Sequence, residues 1–142
     1  MIGKYPAKLD DKNRLFVPAK LRGELGDDFV VTLGVNCNRS CLTIYTAAEW
    51  ERISKNYNEL PLSQRSAATS LLFMNATQCT PDKQFRFTLT PFLLTYAGID
   101  REVMIVGKAG QAEIWAADAF EAFETENLTP EKLLASLEAI GL

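Results

Sequence analysis

Apolar and polar positions alternate in the same way at two places in the chain, which predicts two matching sets of short strands. In each set a polar turn leads into a strand, and the proline that follows suits the first turn of a short helix. A β-rich run, a second turn, another strand and a helix come next. The predicted strands are 5–9, 15–17, 76–79 and 87–89 and the runs that end at Gly34, Tyr45, Gly107 and Trp115, and the predicted helices are about 19–24, 47–57, 92–96 and 117–124.

The two sets form an internal repeat. Asp10–Pro18 corresponds to Asp82–Pro91, at an offset of 72 for the Asp and Arg and of 73 for the Pro. Such collinear self-similarity predicts two duplicated modules of about 60 residues. Two more pairs of blocks follow in the same order at offsets of 73 and 70, namely Val30–Gly34 with Val103–Gly107, and Leu42–Glu51 with Ala112–Glu121.

The repeat and the segments outside it predict how the chain is organised. Within the linking segment, a helix is expected at 62–73, and Thr129 and Pro130 suit the start of the C-terminal helix. Because no low-complexity linker separates the modules, we expect an α+β fold in which they complete each other's sheet as one pseudo-two-fold body. Open strand edges favour a homo-oligomer. The expected units are a first module at 1–58, a linking helix at 59–74, a second module at 75–125 and a C-terminal helix at 126–142.

Composition narrows the range of functions. The chain has 142 residues, 47% of them apolar and 23% charged, as in an ordinary globular domain. It has no histidine, which removes most acid–base and triad catalysis, and its three cysteines lack a fourth ligand for zinc. We therefore expect no enzyme activity, cofactor, metal or small-molecule substrate. No membrane span or export signal is present in the sequence, so we expect a cytoplasmic protein.

Charge is unevenly distributed along the chain. Residues 1–22 hold six basic and two acidic side chains, a net charge of +4, within a chain whose net charge is −3. Residues 99–142 hold three basic and nine acidic side chains, a net charge of −6. The basic N-terminal segment is consistent with binding to a polyanion, and ordinary solvated charge explains it as well.

The repeated D-x-x-x-R turn carries the candidate chemistry. Asp10 and Asp82 begin the two turns, and Arg14 and Arg86 stand four residues later. One interpretation is a salt bridge that closes each turn, worth ~0–1 kcal/mol when exposed. The other is that the Asp orients the Arg, which together with Lys12 reaches phosphate or guanine. Duplication favours the second interpretation. Each chain has two similar turns that could contact DNA, and an oligomer has several times that number, so it would bind repeated DNA sites with high avidity.

Asp10–Pro18 resembles the first signature of the MraZ family, bacterial transcription regulators built from two AbrB-like (SpoVT–AbrB, swapped-hairpin) modules. The resemblance continues through 61–73, where that family has its linking helix, and through 74–91, which is similar to its second signature. Residues 98–107 and 113–115 also follow the family pattern, so the resemblance is collinear over about 1–125.

This resemblance implies a ring-shaped homo-oligomer, associated with the nucleoid, that binds double-stranded DNA. The implied target is a set of short direct repeats upstream of the cell-division and cell-wall gene cluster. The resemblance also implies that the repeated turns contact the DNA, with Asp10 and Asp82 as the orienting acids. Carried over by position, the DNA-contacting residues are Lys12, Asn13, Arg14, Lys83, Gln84 and Arg86.

The chain departs from the family pattern at the residue before each Arg. The family commonly has Gly there, whereas this chain has Asn13 and Phe85. Glycine permits a positive φ, asparagine tolerates it and phenylalanine tolerates it poorly. We therefore expect an intact first turn. We expect the second turn to adopt another conformation, or Phe85 to pack on a neighbour, which makes the second copy the weaker candidate for DNA contact.

Two other function classes stay open. One is an oligomeric interaction protein of the same fold that has kept the ring and lost DNA binding, which the missing glycines and the acidic C-terminal segment would permit. The other is an enzyme, although the chain has no histidine, Walker loop or other catalytic motif. A steep salt dependence of DNA binding separates the first alternative from a DNA-binding regulator.

Overall fold

The computed structural model describes all 142 residues. None of its helices is long and apolar enough to cross a membrane. The strands are β1 Lys4–Lys8, β2 Arg14–Phe16, β3 Phe29–Asn36, β4 Arg39–Thr46, β5 Thr77–Cys79, β6 Arg86–Thr88, β7 Glu102–Lys108 and β8 Gln111–Ala116. The helices are α1 Arg22–Leu25, α2 Ala47–Glu59, α3 Ala67–Met74, α4 Pro91–Tyr96, α5 Ala117–Asn127 and α6 Pro130–Ala139, with 3-10 turns at Ala19–Leu21 and Leu62–Gln64.

The two halves of the chain build one sheet by exchanging strands. Six strands lie in the order β1-β7-β8-β4-β3-β5, and β2 and β6 form a separate two-stranded ribbon. Strand β1 of the first half pairs with β7 of the second, and β5 of the second half pairs with β3 of the first. Replacing every strand by its repeat equivalent reproduces the same order in reverse. The expected α+β body of two duplicated modules with pseudo-two-fold symmetry is therefore confirmed.

The ribbon and the sheet share one hydrophobic core. Leu15 of β2 and Phe87 of β6 lie opposite each other in the ribbon, and both are buried. The Phe87 ring meets the ring of Phe29 on β3 edge to face, with centroids 5.1 Å apart. Because successive strand residues point to opposite faces, the neighbouring Arg14 and Arg86 are directed outward.

Helices cover the opposite face of the sheet. Trp115 of β8 is fully buried, and its ring centroid lies 5.9 Å from that of Phe120 and 4.7 Å from that of Phe123, both on α5. Over the other half of the sheet, Trp50 of α2 packs on Phe73 of α3 at 5.0 Å. The sheet thus lies between these helices and the ribbon, and the outer face of the ribbon is turned to solvent.

The linking segment departs from the single helix expected at 62–73. A 3-10 turn and an extended Arg65 come first, and α3 begins only at Ala67. The Arg65 guanidinium donates to the carbonyl oxygens of Asn58 and Leu60 at 2.8 and 3.1 Å. Because these bonds tie the segment back to the end of α2, the chain turns there and the helix starts later, at a serine N-cap.

A buried carboxylate lies in the middle of the sheet. Glu113 of β8 is 2% exposed and accepts hydrogen bonds from Trp115 Nε1 at 3.1 Å and Lys108 Nζ at 3.3 Å. The Cys41 thiol donates to the same carboxylate at 3.7 Å. Burial, reinforced by the charge of Glu113, raises the pKa of Cys41 to about 12, so the thiol keeps the proton that this bond requires.

Glu113→Ala should lower the free energy of unfolding by about 2 kcal/mol, because it leaves the buried indole N–H and thiol without an acceptor. Urea denaturation of this variant and of Glu113→Gln measures the effect. The glutamine keeps an oxygen for the indole and should therefore be less destabilised than the alanine variant. Wild-type stability of Glu113→Ala would show that the carboxylate does not hold this part of the sheet together.

Candidate nucleic-acid interface

The first turn is organised by the Asp10 carboxylate. Its Oδ1 accepts the backbone N–H groups of Lys12 and Arg14, each at 2.9 Å, and its Oδ2 accepts Arg14 Nε–H at 2.7 Å. Asn13 has a φ of 58°, and its N–H donates to the Asp10 carbonyl at 3.1 Å. Asp10 therefore controls both the path of the turn and the direction of the Arg14 side chain.

The second turn has the same geometry. Asp82 Oδ1 accepts the N–H groups of Gln84 and Arg86 at 2.9 and 3.0 Å, and Oδ2 accepts Arg86 Nε–H at 2.9 Å. Phe85 has a φ of 62°, and its N–H donates to the Asp82 carbonyl at 2.9 Å. The two turns are thus equivalent in backbone conformation and in the pairing of Asp with Arg.

The expectation that Phe85 would force the second turn into another conformation is wrong. A positive φ is costly for a bulky residue, but the hydrogen bonds to Asp82 hold the backbone there. The ring also has a partner, since Cζ of Arg22 lies 3.9 Å from its centroid. Packing of Phe85 on a neighbour, the other expected outcome, is observed. The geometric reason to rank the second turn below the first therefore disappears.

The β2–β6 ribbon brings the two turns close together. Its strands run antiparallel, with Arg14 opposite Thr88 and Phe16 opposite Arg86. Each turn is also tied to the opposite strand by a backbone hydrogen bond, of 2.8 Å in one case and 2.9 Å in the other. The two arginines are offset by two residue pairs, about 7 Å along the ribbon. Both belong to the ribbon's outer face.

Each of the two arginines keeps an unused donor edge. The side chains of Arg14 and Arg86 are 26% and 24% exposed, and each uses only its Nε to bind an Asp. Their Nη groups make no hydrogen bond within the chain, so they are free to bind a pair of acceptors outside it. Lys12 and Lys83 are exposed beside them and form no salt bridge.

The orienting acids are ionised over a wide pH range. The backbone N–H of Arg86, together with its guanidinium and the N–H of Gln84, holds the pKa of Asp82 below its ordinary value. Desolvation raises the pKa of Asp10, but the hydrogen bonds from Arg14 and Lys12 outweigh it, and that pKa is also lowered. Both Asp–Arg pairs therefore stay charged at and well below neutral pH.

Known proteins resemble this chain over its whole length. The family model described as "MraZ protein, putative antitoxin-like" matches residues 1–71 and again residues 72–135. The chain belongs to the MraZ family. It is 34% identical over 144 residues to a protein of Halothermothrix orenii, with 99% of each chain covered. It is 39% identical over 127 residues to one of Ligilactobacillus salivarius, with 88% of this chain and 87% of the relative covered.

Both of these relatives carry the name transcriptional regulator MraZ, as does a protein of Clostridium tetani that is 32% identical over 143 residues and 99% of each chain. These names support a role in transcriptional regulation. The MraZ family model matches once in each half of the chain, which agrees with the internal repeat.

Outside the turns, part of the positive charge of the N-terminal segment of this MraZ-family chain is paired with acidic side chains of the second half of the chain. Lys4 pairs with Glu124 of α5 at 2.6 Å, and Lys8 pairs with Glu102 of β7 at 3.6 Å. The charge that remains free of salt bridges in this segment is therefore smaller than the sequence indicates. It belongs to Lys12, Lys20 and Arg22.

Sequence reasoning missed one residue of the site. Arg22 counted only as part of the basic segment, yet its guanidinium stacks on Phe85, 63 positions later in the chain. The only signal in the sequence was a phenylalanine where the MraZ pattern has glycine. A bulky residue at this position of the turn needs a stabilising contact, and the folded structure shows that Arg22 provides one.

Proposed function

We propose that this chain is a sequence-specific DNA-binding transcription regulator that contacts base edges with the outer face of the β2–β6 ribbon. One observation carries this proposal: two equivalent Asp–Arg turns lie on one exposed ribbon, each with an unused guanidinium edge. A two-stranded ribbon fits into the major groove, and arginine binds O6 and N7 of guanine with two parallel hydrogen bonds. Because each Asp holds its arginine in place, little side-chain freedom is lost on binding.

The residues of each turn have distinct roles in this proposal. Arg14 and Arg86 read bases, and Asp10 and Asp82 orient them. The exposed lysines contact phosphate, which positions the ribbon without specifying a sequence. The polar side chains between the lysine and the arginine add contacts at the tip of each turn. The phosphate-contacting residues are Lys12 and Lys83, and the residues at the tips are Asn13 and Gln84.

We further propose that the chain assembles into a ring that reads short direct repeats. Apolar side chains of the linking segment and of α6 support self-association, because they are 52–79% exposed. In this proposal the units 1–58 and 75–125 supply the DNA-contacting turns, and 59–74 and 126–142 contribute to assembly. The target is the region upstream of the cell-division and cell-wall gene cluster, in the nucleoid. The exposed side chains are Leu62, Met74, Leu133, Leu134 and Ile140.

Fluorescence anisotropy tests the proposal with a labelled DNA duplex taken from the region upstream of the gene that encodes this protein. Specific DNA should bind more tightly than a scrambled duplex of the same length, and the logarithm of the affinity should fall linearly with the logarithm of the salt concentration. Lys55→Ala is the matched control, because it removes one exposed positive charge from α2, away from the ribbon. This control should bind as the wild type does.

Failure of the wild-type chain to bind either duplex, together with assembly at all salt concentrations, would favour the interaction-protein alternative. Equal, salt-sensitive binding of both duplexes would contradict sequence-specific reading and leave only attraction to phosphate.

DNA affinity at constant salt should not change between about pH 5.5 and pH 7.5. The pKa values of Asp10 and Asp82 are lowered in the folded chain. At any pH above the ordinary pKa of an aspartate both carboxylates are therefore charged and stabilise the turns, and this contribution is lost only when the pH falls through the lowered pKa values. The chain has no histidine to titrate in between. Anisotropy titrations across this range measure the profile, and a marked loss of affinity near pH 6 would contradict it.

A further inference from the structure

The Arg22 side chain of the first module stacks on the second turn. Its Cζ lies 3.9 Å from the centroid of the Phe85 ring, and its Nε donates to the carbonyl oxygen of Val17 at 3.0 Å. The N–H of Val17 in turn donates to the carbonyl oxygen of Phe85 at 2.8 Å. Arg22, Val17 and Phe85 therefore each contact the other two. Arg22 packs on the ring of Phe85, and Val17 binds the backbone of Phe85.

These contacts act where the turn is most strained. Phe85 has a φ of 62° and is 46% exposed, so neither intrinsic backbone preference nor burial in the core keeps it in place. A planar guanidinium over an aromatic ring is attracted to it and also shields one face from water. The stack is therefore suited to hold the left-handed conformation that the next residue, Arg86, needs.

The internal repeat provides a comparison within the same chain. In the first turn the residue equivalent to Phe85 is Asn13, which tolerates a positive φ without help. The position equivalent to Arg22, offset by 73, is Thr95, which has no guanidinium. The stacked contact thus occurs only at the turn that carries the bulky residue.

We propose that Arg22 is a positioning residue for DNA reading, which acts by clamping Phe85 and so keeps the second turn in its reading conformation. This inference rests on the proposed DNA-binding function. It makes the second reader depend on a side chain of the first module. The first turn is linked to the second module by the backbone hydrogen bond from Leu89 to Asn13 and has no such side-chain clamp.

Hydrogen–deuterium exchange of the full chain without DNA tests the clamp directly. Arg22→Met keeps the aliphatic stem and removes the guanidinium, and it should accelerate exchange at residues 82–86 about fivefold. The first turn, residues 10–14, is the internal control and should not change. Phe85→Gly removes the strain, so adding Arg22→Met to Phe85→Gly should produce no further acceleration.

DNA affinity at fixed salt supplies the second readout. Arg22→Met should weaken specific binding about fivefold in the wild-type background and hardly at all in the Phe85→Gly background. A merely destabilised protein would not be rescued by Phe85→Gly. An equal loss of affinity in both backgrounds would mean that Arg22 contacts DNA itself, and it would overturn the proposal.

The two readouts separate the inference from the function on which it rests. Unchanged exchange at residues 82–86 in Arg22→Met would overturn the clamp whatever the DNA result. If the wild type bound no DNA, the proposed function would fail, and exchange would still decide whether Arg22 holds the turn.

Discussion

Arg14→Ala and Arg86→Ala should each abolish specific binding to the chain's own upstream DNA. Losing a bidentate contact to guanine costs ~1–3 kcal/mol, which is ~5- to 150-fold in affinity for each contacted site. In an oligomer that engages several turns, these losses multiply. Because the two turns have the same hydrogen bonds and nearly the same φ, the two substitutions should be similarly damaging.

Anisotropy titrations with specific and scrambled duplexes measure these losses. Arg14→Lys and Arg86→Lys are matched variants that keep the charge and lose the two-pronged donor, so they should retain phosphate attraction without sequence preference. Light scattering should show that all four variants assemble like the wild type. Unchanged specific affinity of either alanine variant would exclude that arginine as a reader, and a loss at only one turn would show that the two are not equivalent on DNA.

The chain should form a large homo-oligomer in the absence of DNA. Leu62, Met74 and Ile140 are 79%, 74% and 73% exposed, and contacts between subunits would remove this apolar surface from water. The sheet also ends in two open edges, at β1 and β5. Burial between subunits stabilises both features, at roughly 25 cal/mol per Å² of apolar surface.

Light scattering at micromolar concentration measures the assembly as a mass several times the 15.8 kDa of one chain. The double variant Leu134→Glu with Ile140→Glu places charges on exposed apolar positions of α6 and of the residue that caps its C-terminus, and it should reduce that mass. Ser136→Glu, on the same helix, is a control for added charge alone. A wild-type mass near 15.8 kDa would show a monomer, and it would contradict both the proposed ring and the avidity that depends on it.

Features that depend on neighbouring residues could be predicted from the sequence. The repeat, the order of strands and helices, and the α+β class follow from periodicity, because alternation and helical spacing reflect which side of an element is buried. The N-cap at Thr129 was likewise predicted together with the proline that follows it, and Pro91 predicted the first turn of α4. The turns could be located because Asp at a turn start and Arg four residues later interact within one short segment.

Only the tertiary structure decided which distant segments meet. The exchange of β1 and β5 between the halves and the pairing of β2 with β6 depend on contacts between residues 46 to 102 positions apart, for which no local pattern exists. The same is true of the second turn. Intrinsic preference disfavours Phe85 at a positive φ, but its hydrogen bonds to Asp82 and its stacking with Arg22 reverse that preference. A backbone preference of a few kcal/mol is easily outweighed when several long-range contacts converge on one residue.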